Sequence, residues 1–345
     1  MVRLASPRST YSSAHKISTD AWTHSQSLSG GWAHVYEQLD RRPFYGEIRE
    51  AWLGPVQLIY ENVVGPVRYD GHPWEGSRLF LSYLTGDLHF DNCRVTDNLL
   101  TTVRWNGVDR VTCSKPNEVV IVAVDEAFLN RFTLEAAGRV FFGDKDGSPK
   151  TYTANSTLVR QFQSAVLDVL QRVQLEPTLL DSVHQRDDLR DRILNALLSI
   201  CVLRTDCDAR LPRPCTRAYV VDKSIEYIES RIGENVSVAD ICAVVRISPR
   251  TLCYSFESVL GVSPTRYLLA TRLNRVRRDI LKHGGAVSLH DLASRWGIWH
   301  MGRFARYYRE TFGERPSDTM KMAAQCSPRT TLRAGSTAGL ALAPN

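Results

Sequence analysis

The residues best suited to chemistry in this sequence are arginines set among aromatics. From Trp296 to Asp318 the chain reads WGIWHMGRFARYYRETFGERPSD, with arginines at 303, 306, 309 and 315. Phe304, Tyr308 and Phe312 recur at every fourth position, so on a helix they form one apolar stripe. Arg303, Arg306 and Tyr307 then lie off that stripe and point away from a core. An outward arginine fork suits two acceptors, the O6 and N7 edge of guanine and the oxygens of a phosphate. For one helix in isolation, a solvated charged face explains the same pattern.

A second stretch follows the same logic about 51 residues upstream. SVADICAVVRISPRTLCYSFESVLGVSP (237–264) overlays SLHDLASRWGIWHMGRFARYYRETFGERP (288–316). Ser237 meets Ser288, Asp240 meets Asp291, Ile241 meets Leu292 and Ile247 meets Ile298. After one inserted residue, Leu252 meets Phe304, Phe256 meets Tyr308, Gly261 meets Gly313 and Pro264 meets Pro316. Such a match is the signature of duplicated structure. Each copy begins with a serine cap on a short helix. A tight turn follows, made with Gly297 in the second copy. A longer helix then ends at a glycine. This is the helix-turn-helix plan, in which the start and outer face of the second helix meet base edges in the major groove. The second helices are predicted to begin near Pro249 and His300.

Between the copies lies TRYLLATRLNRVRRDILK (265–282). Leu268, Leu269, Leu273, Val276 and Ile280 give it an apolar stripe, and Arg266, Arg272, Arg275, Arg277, Arg278 and Lys282 cover the rest. The spacing predicts a connecting helix of roughly 18 residues, about 27 Å. A bar of that length suits two reading heads about one DNA turn, near 34 Å, apart. Arg266, Arg275, Arg278 and Lys282 are the expected phosphate contacts.

The charge distribution agrees. Residues 217–322 hold 17 Lys and Arg against 11 Asp and Glu, which accounts for the whole net charge of +6 carried by the chain. The remaining 26 basic and 26 acidic residues cancel. A neutral front and a basic back imply a polyanionic partner for the back alone.

The elements ahead of the repeat differ in kind. A chain of 345 residues has room for two domains. Residues 1–30 are polar and unpatterned, as in a disordered arm. Residues 31–150 read as a β-rich sensor domain, with strand patterns at PVQLIYENV (55–63), RLFLSYLTGD (78–87) and VTCSKPNEVVIVAVD (111–125). DEAFLNRFTLEAAG (125–138) reads as a helix capped by Asp125 and closed by Gly138. Residues 151–204 carry two helical stripes, Leu158, Phe162, Val166, Leu170 and Leu189, Ile193, Leu197, Ile200, fit for core or for a dimer seam. Residues 205–217 read as a linker, 218–322 as the double helix-turn-helix domain and 323–345 as a disordered tail. The expected fold class is α+β: a barrel-like (cupin-like) β domain followed by helices, then an all-α domain with two helix-turn-helix motifs joined by a long helix.

Other chemistries find little support. Within the β-rich stretch 44–143 the only histidines are His72 and His89, with no H-x-H pair, and the chain lacks G-x-S-x-G, P-loop and G-x-G-x-x-G patterns. No catalytic residue, metal or cofactor is expected, and a cupin-type enzyme is a remote alternative. Eight cysteines without a C-x-x-C pair fit reduced, buried thiols. No apolar run is long enough to span a membrane, and Met1–Asp20 lacks a secretory h-region, so a cytoplasmic location is expected. Trp52, Tyr60, Trp74, Phe80 and Tyr83 are candidates for an apolar effector pocket, with Arg78 as a polar anchor.

The segments VSPTRYL, RLNRVRRDIL and WGIWHMGRFARYYRETFGERPSD together resemble the DNA-binding domain of AraC/XylS-type transcription regulators, over residues 220–322. EAWLGPVQLIYENV and HPWEGSRLFLSYLTG resemble the sensor domains of the ethanolamine-operon and xylene-type members. The resemblance implies a regulator of transcription, an activator, bound to double-stranded DNA and to RNA polymerase. It further implies a small-molecule effector in the front domain and a homodimer formed through the helices that follow it. By position, the first recognition helix would offer Arg250, Cys253 and Tyr254 to bases, and the second Met301, Gly302, Arg303, Ala305 and Arg306. Cys253 and Met301 depart from the usual polar readers and suit an apolar contact such as a thymine methyl. Gly302 offers only close approach. A regulator without effector, controlled by abundance or by a partner protein, is the alternative.

Overall fold

The first strand of the computed structural model, β1 (Tyr11–Ser18), is made mostly of polar residues. It runs antiparallel along β3 (Tyr45–Leu53), from Tyr11 opposite Leu53 to Ser18 opposite Gly46. An edge strand is held by ladder hydrogen bonds and needs no apolar stripe of its own. The expectation of an arm over residues 1–30 is thereby corrected from residue 11 onward. After β1 the chain forms α1 (Ala21–Ser25), whose Asp20 cap accepts from the Thr23 amide at 2.8 Å. The structure describes residues 11–85, 88–90, 93–95, 99–104, 109–113, 116–141, 150–153, 155–203 and 216–326. Residues 1–10 of the expected arm, 205–215 of the expected linker and 327–345 of the expected tail lie outside the described residues. The start of that tail is helical, because the last helix runs to Cys326.

Two antiparallel sheets form the front domain. The larger has the order β1, β3, β4 (Val56–Val64), β11 (Asn117–Asp125), β6 (Ser77–Thr85), β9 (Leu99–Arg104) and β12 (Lys150–Thr153). The smaller has the order β2 (Ala33–Gln38), β5 (Val67–His72), β10 (Asp109–Cys113), β7 (Leu88–Phe90) and β8 (Cys93–Val95). Both sheets are open, so the barrel-like expectation resolves into two facing layers.

Alternation along the strands decides what each face of the large sheet touches. Ile59, Leu79, Leu81, Val119 and Ile121 pack with Tyr36 and Val67 of the small sheet. Leu58, Tyr60, Phe80, Val120 and Val122 pack with α3 (Ser156–Leu175) and α4 (Val183–Leu203). Phe162, Val166 and Leu170 from α3, and Leu189, Ile193, Leu197 and Ile200 from α4, are buried in that second layer. The apolar stripes of 151–204 are therefore core of this chain rather than a dimer seam. Between the sheet and α3, α2 (Glu126–Ala137) starts on Asp125 and stops at Gly138 in the left-handed conformation, φ 68°.

The back domain is helical: α5 (Thr216–Ser230), α6 (Val238–Val245), α7 (Pro249–Leu260), α8 (Pro264–His283), α9 (Leu289–Arg295), α10 (Met301–Phe312) and α11 (Pro316–Cys326). It has two cores. One gathers Ile225, Ile241, Leu252, Phe256 and Leu260; the other gathers Leu292, Phe304 and Tyr308. α8 serves both, giving Tyr267, Leu268 and Ala270 to the first and Leu273, Val276 and Ile280 to the second. Its 20 residues make a rod of about 30 Å. Among the described residues no helix is long and apolar enough to cross a membrane.

Candidate nucleic-acid interface

The repeat seen in the sequence is a repeat of structure. Ser237 and Asp240 form a reciprocal capping box at the start of α6. Ser288 accepts from the Asp291 amide at 3.1 Å at the start of α9. A left-handed residue follows each short helix, Arg246 at φ 55° directly after α6 and Gly297 at φ 73° one residue further on after α9. A Cβ on Gly297 would lie 3.2 Å from the carbonyl oxygens of Gly233 and Glu234, so close backbone approach as well as φ calls for glycine there. Ser248 caps α7, with Pro249 as its first residue. α10 begins after His300 without a side-chain cap. Both second helices stop at glycines of φ 70° and 77°, Gly261 and Gly313.

The inner faces of α7 and α10 hold them in place. Leu252, Phe256, Leu260, Phe304 and Tyr308 are buried, and Phe312 is partly buried against them. The outer faces carry the predicted base readers. Arg250, Tyr254, Gly302, Arg303, Ala305 and Arg306 are exposed, and Cys253 and Met301 are half-buried. Arg250 lies on Tyr254, with its guanidinium 5.5 Å from the ring centre and a nitrogen 3.3 Å from the hydroxyl. Arg306 lies over Tyr307 at 4.9 Å and keeps only a long ion pair, 3.8 Å, with Glu310. Among the described residues no carboxylate pairs with Arg250 or Arg303. Trp299, 60% exposed just before α10, was missed by the sequence reading, although a tryptophan in the turn between two helices was visible as a signal.

The predicted phosphate contacts divide. Arg278 is half-buried and Lys282 exposed, and neither makes a hydrogen bond or ion pair with a described residue. Arg275 pairs with Glu229 and stacks 5.1 Å from the Trp296 ring, so it serves the fold. Arg266 turns inward to Thr311 at 3.3 Å, and burial pushes its pKa down. Arg277 is likewise internal, bridging Asp20 at 2.6 Å and Glu314 at 2.7 Å.

Side chains of the front domain grip this bar. Arg68 of β5 donates to Glu229 at 2.8 Å and to the Tyr267 hydroxyl at 2.7 Å, and pairs with Asp70. The Gln38 amide donates to Asn274 at 3.2 Å, and Asn274 donates back to the Gln38 carbonyl at 2.8 Å. Gln38 also reaches the Thr311 carbonyl at 3.0 Å, and Leu39 is buried in the first helical core. No motif announced these contacts, whose partners lie 161 to 273 residues apart.

The pocket predicted from aromatics is not assembled. Tyr60 and Phe80 face the helices on the other side of the large sheet. Arg78 is held by Glu126 at 2.7 Å. Trp52 and Trp74 do lie between the sheets, 5.8 Å apart, with their indole N–H groups on Glu50 and Gln57. Strand parity separates these residues. A chamber of about 40 Å³ opens between the sheets instead, lined by Trp32, Tyr36, Glu61, Tyr69 and Tyr83 among others. Among the described residues no three His, Cys, Asp or Glu side chains are placed to hold a metal.

Two capped helix pairs, each with its own core and joined by a shared helix, define a double helix-turn-helix domain. Residues 241–322 of that domain match the family described as a helix-turn-helix domain. The chain is similar to the probable thc operon regulatory protein of Rhodococcus erythropolis, 34% identical over 119 residues, which are 34% of this chain and 36% of that protein. It is also similar to XylDLEGF operon transcriptional activator 1 of Pseudomonas putida, 34% identical over 101 residues, 29% of this chain and 30% of that protein. Among solved structures it is similar to ToxT from Vibrio cholerae, at 15% identity and a TM-score of 0.33 over 78% of this chain and 98% of that one. The match spans about a third of the length of these curated relatives.

Proposed function

We propose that this chain is a transcription regulator that binds double-stranded DNA sequence-specifically and reads two successive major-groove segments with α7 and α10. One observation carries the reading: two structurally matched helix pairs present Arg250, Arg303 and Arg306 outward while α8 fixes both pairs to one rod. Arg303 and Arg306 serve as guanine or phosphate forks, and Arg250 with Tyr254 as the first head. Cys253 and Met301 give apolar contacts, and Gly302 allows close approach. Arg278 and Lys282 fit phosphate contacts; Arg266 and Arg275 hold the scaffold.

The name of the Pseudomonas putida relative, a transcriptional activator, supports activation; RNA polymerase as the partner and a cytoplasmic homodimer complete the proposed assembly. The grip of β2 and β5 on α8 and α5 supports control by an effector in the front domain, because the strands that wall the chamber also touch the DNA-binding domain. No catalytic step is assigned.

The test is a gel-shift titration of Arg306→Ala on a specific site and on scrambled sites. Loss of one bidentate base contact is expected to weaken specific binding by about 1–3 kcal/mol and to relax preference at one position. Equal loss on specific and random DNA would make Arg306 a phosphate contact and remove it from the reading set.

A further inference from the structure

The chamber between the two sheets has an unusual chemistry for an apolar core. Its wall is aromatic on several sides, from Trp32, Tyr36, Tyr69 and Tyr83, and it contains one carboxylate, Glu61, only 6% exposed. Both hydrogen bonds to Glu61 fall on Oε1, from the Tyr36 hydroxyl at 2.5 Å and from His24 Nε2 at 2.9 Å. Oε2 takes none from a described residue. Burial alone would push this carboxyl up, but the His24 and Tyr36 hydrogen bonds hold it below the usual glutamate value, so it is anionic. His24 is fully buried, with Nε2 on Glu61 and no hydrogen-bond partner for Nδ1 among the described residues. Among the described residues no basic side chain lines the chamber.

A second observation lies behind the chamber's aromatic wall. His34, 7% exposed, packs at 5.9, 5.8 and 5.8 Å from the Trp32, Tyr36 and Tyr69 rings, and neither of its ring nitrogens has a partner. Burial pushes its pKa down to about 4, which leaves a neutral imidazole with one nitrogen lone pair able to accept. A buried anion and four electron-rich rings are complementary to one kind of guest.

We propose that this chamber binds a small organic cation, an alkylammonium ion, with Glu61 as its counter-ion and the rings around its charge. A volume of about 40 Å³ fits a guest of about three or four non-hydrogen atoms, at about one per 10–15 Å³. An anionic guest of the same size meets the Glu61 charge, and a neutral one leaves it uncompensated. The inference deepens the reading of the front domain as an effector sensor.

Calorimetric titration of the full chain with propylammonium chloride, 1-propanol and sodium propionate tests it, since the three guests are close in size and differ in charge. Saturable binding of propylammonium is expected, at least about tenfold tighter than 1-propanol, a difference of about 1.4 kcal/mol. Propionate is expected to give no saturable heat. Glu61→Gln, which keeps shape and hydrogen bonding, is expected to weaken propylammonium at least about tenfold and to leave 1-propanol unchanged. The proposal is overturned if propylammonium gives no saturable heat, if 1-propanol or propionate binds as tightly, or if a folded Glu61→Gln variant binds the cation unaltered. Should that variant unfold, the charge series on the unaltered protein decides alone. A gel shift on the same preparation separates the two readings: DNA binding without cation binding sinks this inference only, and cation binding without DNA binding sinks the regulator reading only.

Discussion

Replacing Arg68 by Met tests whether the front domain is fastened to the DNA-binding domain. The Arg68 side chain is 6% exposed and faces Glu229 at 2.8 Å, Glu37 at 3.7 Å, Asp70 and the Tyr267 hydroxyl. Methionine fills most of the volume and removes the charge. Deleting one partner of a buried ion pair costs about 3–5 kcal/mol, because the other charge is left uncompensated. Glu229 and Asp70 keep some access to water, and Arg275 still pairs with Glu229, so the lower end applies to them. Glu37 is worse placed. Burial already pushes its carboxyl up, and Arg68 is the leading influence against that. The expected loss is about 3 kcal/mol in the unfolding free energy of the full chain, read by urea denaturation. A double-mutant cycle with Glu229→Gln isolates the contact across domains, with an expected coupling on the order of 1–3 kcal/mol. A loss under about 1 kcal/mol, or effects that add within about 0.5 kcal/mol, would show that the two domains are not fastened here.

Three further outcomes follow from the same geometry. His34 is neutral when folded, with its pKa down at about 4, and takes a proton near 6.5 when unfolded, so stability falls as pH drops through that window. The loss is on the order of 2–3 kcal/mol. His34→Phe is expected to flatten the decline in thermal-melt series between pH 6.5 and 4.5, and an unchanged slope refutes the assignment. Gly297→Ala places a methyl 3.2 Å from two carbonyl oxygens at positive φ and is expected to cost at least about 1–2 kcal/mol in denaturant titration. Arg246→Gly relieves the same left-handed strain in the first copy. With about 1–2 kcal/mol gained and about 0.5–1 kcal/mol lost to backbone freedom, a small rise in stability is expected, and a fall of Tm would show that the arginine side chain is held.

Legibility in the sequence followed the range of the interactions. Caps act over three residues, so Ser237 with Asp240, Ser288 with Asp291 and Asp125 with Phe128 were readable from spacing. Apolar stripes act over four, so α3, α4, α7 and α10 were readable too, although not what the α3 and α4 stripes pack against. Strand parity needs the register, and the pocket guess failed there: Tyr60 and Phe80 look like pocket aromatics until the sheet gives them its helical face, while Tyr83 falls on the chamber side. β1 was unreadable because its stability resides in backbone pairing with β3, which its polar side chains do not advertise. Arg266 and Arg275 were misjudged because arginine type alone does not say whether a carboxylate or hydroxyl from elsewhere in the chain is waiting. The outward faces of α7 and α10 were readable because they depend on what these helices bury, and that is local.

The division of α8 between two cores turns residue count into a ruler. Its turn-by-turn geometry sets both the distance and the phase between the heads, at about 1.5 Å and 100° per residue. One inserted residue near Ala270 would swing one helix pair about 100° around the rod relative to the other. Seven would add about two turns, restore the phase to within about 20° and lengthen the rod by about 10.5 Å. On the proposed DNA reading, at 3.4 Å per base step, such a chain would call for half-sites about three base pairs further apart.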